Sequence, residues 1–129
     1  MTRLRIIISS LAALVLLSSS GAAQELIRRV QFAPGSNSAA FKGSVVRGER
    51  ERFVLHGQAG QRLQIQISSR EDNAVFTVLQ PERKRWLQGA GDRDDAKQWS
   101  GTLPVSGEYL LSVASTRGNT SYKLIVTRQ

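Results

Sequence analysis

Apolar and polar residues alternate along most of the chain beyond residue 25, and this alternation predicts its elements. The clearest run sets Leu63, Ile65 and Ile67 against Arg62, Gln64, Gln66 and Ser68. That is the pattern of a strand with one face in a core and the other in water. Ala39, Phe41, Gly43 and Val45 repeat at the same period, and the glycine among them marks a bulge or a close backbone approach. Val30 and Phe32 end a first strand over 26–32, and Phe53 and Leu55 share one face of another over 51–56. Residues 74–80 are largely apolar on both faces, which predicts a more deeply buried strand ended by Pro81. Trp99, Gly101 and Leu103 alternate over 98–103. Tyr109, Leu111 and Val113 do so next, then Tyr122, Leu124 and Val126 beyond the turn Thr116-Arg117-Gly118-Asn119. Two such runs joined by a short polar link predict a β-hairpin.

The breaks between runs carry turn chemistry: Ala33-Pro34-Gly35-Ser36-Asn37, Gly48-Glu49-Arg50, Gln58-Ala59-Gly60-Gln61, Arg70-Glu71-Asp72-Asn73 and Pro104-Val105-Ser106-Gly107. Residues 82–97 follow no period. Glu82-Arg83-Lys84-Arg85 is a charge run, Trp86-Leu87 is apolar enough to pair briefly, and 88–96 is a loop rich in glycine and acid. No window after residue 24 repeats apolar residues at helical spacing. About eight short strands, spaced near ten residues apart, predict an all-β fold: an antiparallel β-sandwich, jelly-roll-like.

The first 23 residues have a different character. Arg3 and Arg5 precede an apolar stretch over 6–17, and small residues fill 18–23. This is the layout of a cleavable signal peptide, with Gly21 and Ala23 at the small-residue positions before the cut. The stretch is short against the roughly 20 residues of a membrane span. Residues 24–129 are then expected to form a single β-sandwich domain, exported to a bacterial periplasm. The chain has no cysteine, so its stability must come from the core without disulfides.

Formal charge is +8. Two of the 18 basic residues lie in the signal segment, which has no acid, so 24–129 carry 16 bases against 10 acids, a formal +6. Most of the bases are arginine, which binds carboxylates and phosphates in a fork that lysine lacks. No nucleic-acid-binding motif accompanies the charge, and export argues against that partner.

Catalytic chemistry is thinly represented. His56 is the sole histidine and, without a second His or Cys, builds no usual zinc site. No Gly-x-Ser-x-Gly elbow supports a nucleophilic serine. Asp92, Asp94 and Asp95 offer the carboxylates that calcium takes, but Arg93 lies among them and no glutamate closes an EF-hand spacing. A solvated acidic loop is the better expectation, and no catalytic residue, metal or cofactor is assigned. Trp86 and Trp99 are the large rings available for stacking on sugars; Trp99, in step with Gly101 and Leu103, suits a core better.

Val30-x-Phe32-x-x-Gly35-x-x-Ser38-Ala39-x-Phe41-x-Gly43, with Phe53, Gly60-Gln61 and Ile67-Ser68 after it, resembles the periplasmic inhibitors of g-type (goose-type) lysozyme. The likeness continues through Ser106-Gly107-x-Tyr109, Leu111, Val113 and Thr116-Arg117. The pieces Gly60-Gln61 and Ser106-Gly107-x-Tyr109 are similar to bacterial pre-peptidase C-terminal domains as well, so they specify fold more than function. The resemblance implies a sandwich that occludes the cleft of a g-type lysozyme with its loops and protects peptidoglycan. It implies Ser106, Gly107, Tyr109, Thr116 and Arg117 as the lysozyme-binding residues. Two departures accompany it: Glu108 stands where the family tends to have a base, and the loop after Arg117 is shorter and lacks a second arginine. The alternative reading is a non-catalytic envelope module for anionic glycans or proteins, motivated by the charge and by Trp86.

Overall fold

The structure is a computed structural model that describes residues 26–129; the expected signal peptide, 1–23, lies outside the described residues. The described residues form eight strands: β1 (Ile27–Arg29), β2 (Ser38–Val45), β3 (Glu51–Gly57), β4 (Arg62–Ser69), β5 (Ala74–Leu79), β6 (Gln98–Thr102), β7 (Gly107–Ser115) and β8 (Thr120–Arg128). They make two four-stranded sheets, ordered β1-β3-β7-β5 and β2-β8-β4-β6. This is the all-β sandwich the alternation predicts, antiparallel except where β1 runs parallel to β3.

Successive strands fall in opposite sheets from β1 to β8, so no strand pairs with its neighbour in sequence. The expected hairpin of the last two runs is therefore corrected. β7 pairs with β3 and β5, β8 pairs with β2 and β4, and residues 116–119 arch between the sheets. Alternation and a polar link specify two strands and a turn. They leave open whether the second strand folds beside the first or rolls over onto the facing sheet, because either choice keeps both apolar faces in the core.

That core is where the two inner faces meet. Phe53, Leu111 and Val78 lie in one row across the first sheet, with Leu55 beside Tyr109. Ile65 sits opposite Val126 and Ile67 opposite Leu124 across the second. All of them are buried, Phe53, Ile65, Tyr109, Leu124 and Val126 completely. Burying such a side chain contributes roughly 1.5–3 kcal/mol. Gly43 interrupts no pairing, since β2 and β8 stay in register throughout, so close approach is the explanation for it. A Cβ there would lie 2.5 Å from the Tyr122 hydroxyl.

Residues 81–97 begin with a single 3-10 turn, Pro81–Arg83, and then follow the free edge of β5. Leu87 N–H donates to Val78 at 2.9 Å, Val78 N–H to Ala90 at 2.8 Å and Phe76 N–H to Ala96 at 2.9 Å. Isolated bridges join Leu79 to Trp86 and Phe76 to Ala96. The segment thus covers an edge that would otherwise invite pairing with another chain.

Tyr122 donates its hydroxyl to the Glu51 carboxylate. Burial first, and then the bond to Glu51 and its negative charge, hold the phenol far above its ordinary value of 10.0, with Arg28 opposing. Burial also raises Tyr109, against a bond from Val105. Both pKa values are higher in the folded state, so the folded protein keeps protons that the unfolded chain loses above about pH 10. The stability this contributes is complete below that pH and declines as pH rises through it. Urea midpoints should hold steady to about pH 9.5 and then fall, and Tyr122→Phe should flatten part of that fall. A variant with an unchanged alkaline slope would contradict this assignment.

Candidate functional site

The five residues that the sequence singles out lie at both ends of β7. This strand spans nine residues, about 26 Å at a strand's rise per residue. Ser106 and Gly107 are at one end, Thr116 and Arg117 at the other. No single point on a partner can meet both groups at once.

At the first end, the Ser-Gly-x-Tyr motif builds a corner from its own atoms. Tyr109 is wholly buried, and its hydroxyl donates to the Val105 carbonyl at 2.6 Å while accepting from Val105 N–H at 3.3 Å. A hydroxyl expected to meet a lysozyme carboxyl is thus committed inside the fold, which leaves its ring nothing to offer a partner. Gly107 has φ +142°, and a Cβ on it would lie 2.8 Å from Pro81, so a side chain is excluded twice over. Ser106 is exposed and accepts from Ala59 N–H at 2.8 Å, which leaves its own proton to donate. Glu108 bonds to Arg29 at 3.2 Å on the outer face of the first sheet, between two exposed side chains.

At the far end, three loops converge: 46–50, 70–73 and 116–119. Asn73, only 1% exposed, joins two of them. Its amide donates to the carbonyls of Arg117 at 2.8 Å and Asn119 at 3.2 Å. Its own carbonyl accepts from Thr116 N–H at 2.8 Å. Ser69 fixes the asparagine in turn, accepting from Asn73 N–H at 3.0 Å and donating to its side-chain oxygen at 3.3 Å. The Arg117 guanidinium reaches back to the Glu71 carbonyl at 2.8 Å, which uses one of its five N–H donors. The third loop is tied in through Arg47 N–H, which donates to Asn119 Oδ1 at 3.2 Å.

Arg47, Arg50, Arg70 and Arg117 are all exposed here. The same loops carry three exposed acids, Glu49, Glu71 and Asp72, of which Asp72 is taken up by Lys97 at 2.8 Å, so arginine is in modest excess. The result is a basic end whose central loop is held at its backbone and whose guanidinium retains donors for a carboxylate. Asn73 was legible only as a turn residue, since nothing in a sequence distinguishes a buried asparagine from a solvated one.

The other candidates are placed elsewhere. His56 is exposed on β3, opposite Glu108. Asp94 caps its own loop, accepting from Gly91 N–H at 2.6 Å, and among the described residues no group of three acids, histidines or cysteines could hold a metal. Trp99 packs on the core with its indole N–H on the Gln88 carbonyl at 2.8 Å, while Trp86 remains 39% exposed.

A two-sheet sandwich with strands alternating between the sheets and a Ser-Gly-x-Tyr corner defines a β-sandwich of the pre-peptidase C-terminal kind. The fold is shared with such a domain from a Bacillus anthracis collagenase, at TM-score 0.59 and 15% identity over 80% of this chain and 96% of that one. The Aeromonas hydrophila PliG, a periplasmic inhibitor of g-type lysozyme, matches at 34% identity and TM-score 0.67 over 80% of this chain and 96% of that one. The Salmonella Typhimurium PliG has the same fold, at 22% identity and TM-score 0.64 over 80% and 97%. The chain belongs to the PliG family of periplasmic g-type lysozyme inhibitors. No protein-family model matches it, and no curated protein does.

Asn73→Ala should destabilise the protein by about 2–3 kcal/mol, because it removes the donor to the part-buried carbonyls of Arg117 and Asn119 and leaves a cavity in place of a side chain 1% exposed. Amide exchange at Thr116 should quicken more than at Leu111 in mid-strand. Uniform acceleration along β7 would mean that Asn73 does not hold the loop in particular.

Proposed function

We propose that the protein inhibits a g-type lysozyme by seating its arginine-bearing end over the enzyme's cleft. The observation that carries this is the Arg117 loop, fixed at its backbone by a buried asparagine while its guanidinium, held on the Glu71 carbonyl, stays exposed with donors to spare. Glycoside cleavage depends on carboxylates in a cleft. A guanidinium forms charge-assisted, bidentate bonds with an ionised carboxylate. A loop already ordered before contact loses little entropy on binding. The membership of the family supplies the class of partner, and nothing in the mechanism requires this chain to perform chemistry.

The missing second arginine of the 116–119 loop has a replacement within this reading. Asn119 draws the 46–50 loop against it, so that Arg47 and Arg50 supply cations from a neighbouring segment. Thr116 positions Arg117, and the Ser106, Gly107 and Tyr109 corner keeps the opposite end rigid. Cleavage after Ala23 would deliver the 24–129 domain to the periplasm, where peptidoglycan needs this protection.

Purified protein at micromolar concentration should suppress lysis of permeabilised cells by a g-type lysozyme. Undiminished lysis would refute the proposal. Arg117→Ala should weaken inhibition by about 1–3 kcal/mol, as expected for a lost charged hydrogen bond, and Ser106→Ala should leave the inhibition constant unchanged. The reverse order of effects would move the contact to the other end of β7.

A further inference from the structure

The second sheet has a property the inhibitor reading does not use. Its four strands, β2, β4, β6 and β8, contain no aspartate or glutamate. Lys42, Arg62 and Lys123 point outward from them, each exposed. Lys42 stands directly opposite Lys123, an arrangement in which like charges repel across the strand pair. Neither lysine has an ion pair among the described residues, and Asp72, at the rim, is taken up by Lys97. Between the cations the face carries hydroxyls and amides, around a small apolar strip made by Ala40 and the half-buried Ile125. Gln66 of β4 faces Gln98 of β6, Gln64 faces Ser100, and Ser68 faces Lys123. A shallow groove of about 620 Å3 runs past Lys42, Ser44, Ser68, Arg70, Ser121 and Lys123.

We infer that this face binds an anionic glycan strand bearing carboxylates, on a surface centred on Lys42 and Lys123 that adjoins the Arg117 end at Arg70. The strands run eight residues in β2 and β4, so the face measures about 23 by 14 Å, extended enough for a polymer. Charge complementarity sets the sign of the partner, because an acid-free face with unpaired lysines attracts anions. The hydroxyls and carboxamides set its chemistry. Each of these groups both donates and accepts, which matches the hydroxyl and amide groups of sugars. A polyphosphate only accepts and would leave the acceptors of this face unused. A lipid surface would need an apolar anchor, and the exposed large hydrophobics Leu26, Ile27, Val46, Trp86 and Val105 all belong to other parts of the chain. Trp86, the sequence's own candidate for glycan contact, bridges to β5 at the edge of the other sheet, so it has no part in this surface.

Polygalacturonate, a polymer of uronic acid, is the probe, with neutral dextran, polyphosphate and phosphatidylglycerol vesicles beside it and no lysozyme present. The purified protein should bind polygalacturonate most tightly, and more weakly as salt rises. Lys42→Gln with Lys123→Gln should lower affinity about tenfold, as two lost surface charges allow. Gln66→Ala with Gln98→Ala should lower it several-fold. The lysine double variant should melt at or above the parent temperature, since it relieves a repulsion, and should still inhibit lysozyme. The inference is overturned by absent binding, by polyphosphate or vesicles binding equally well, or by either double variant binding like the parent. Loss of inhibition in the lysine variant would make this face part of the lysozyme contact and would also overturn it. Should the inhibitor reading fail, the glycan measurement stands unaffected, because it contains no lysozyme.

Discussion

The amide of Asn73 donates to two backbone carbonyls of the arch between β7 and β8, and the basic end of the molecule depends on those bonds. An arch that passes from one sheet to the other has no ladder partner for its own peptide groups. Each such group, where buried, must find a bond or lose roughly 1–3 kcal/mol. Here one side chain serves the arch and its own turn together, and Ser69 holds that side chain in place. The opposite end follows the same rule with different parts. Tyr109 satisfies both backbone groups of Val105, and Ser106 satisfies Ala59. Both ends are thus rigid without disulfides, and the chain, having no cysteine, could not have used them.

The two sheets divide the electrostatics between them. Glu51 and Glu108 belong to the first sheet, where each has a partner in Tyr122 or Arg29. The strands of the second sheet carry cations and no acid. The excess of base over acid, which in the sequence is only a number, is in the folded protein a set of located surfaces: one at the Arg117 end and one across the face of β2, β8 and β4.

The alternating runs were legible because burial on one face of a strand imposes a period of two, and Leu63, Ile65 and Ile67 could hardly be read otherwise. Gly43 was legible as an anomaly, though only the Tyr122 hydroxyl above it decides between bulge and close approach. The partner of each strand was not legible. β7 and β8 look like a hairpin because apolar faces and a polar link are common to hairpins and arches alike. Residues 82–97 gave no period because they pair with β5 only at scattered points, with Leu87, Ala90 and Ala96 buried singly. Of the candidate site, Arg117 was singled out through family resemblance, while Asn73, which holds its loop, shows no sign of burial until the fold surrounds it. Tyr109 was legible as a member of a motif, but its direction was not: an in-step tyrosine faces the core.

The order of the strands has a consequence for how the chain can be made and moved. β7 and β8 are inner strands, each flanked on both sides, and they are the last two along the chain. Until both are present, the first sheet can join only β1 to β3 and the second only β4 to β6. Pairings so distant in sequence form slowly. A polypeptide threaded through a narrow translocation pore from its N-terminus would therefore have its emerged strands largely unpaired until almost all of it had passed. It would gain both sheets nearly together on the far side, where the last strands arrive.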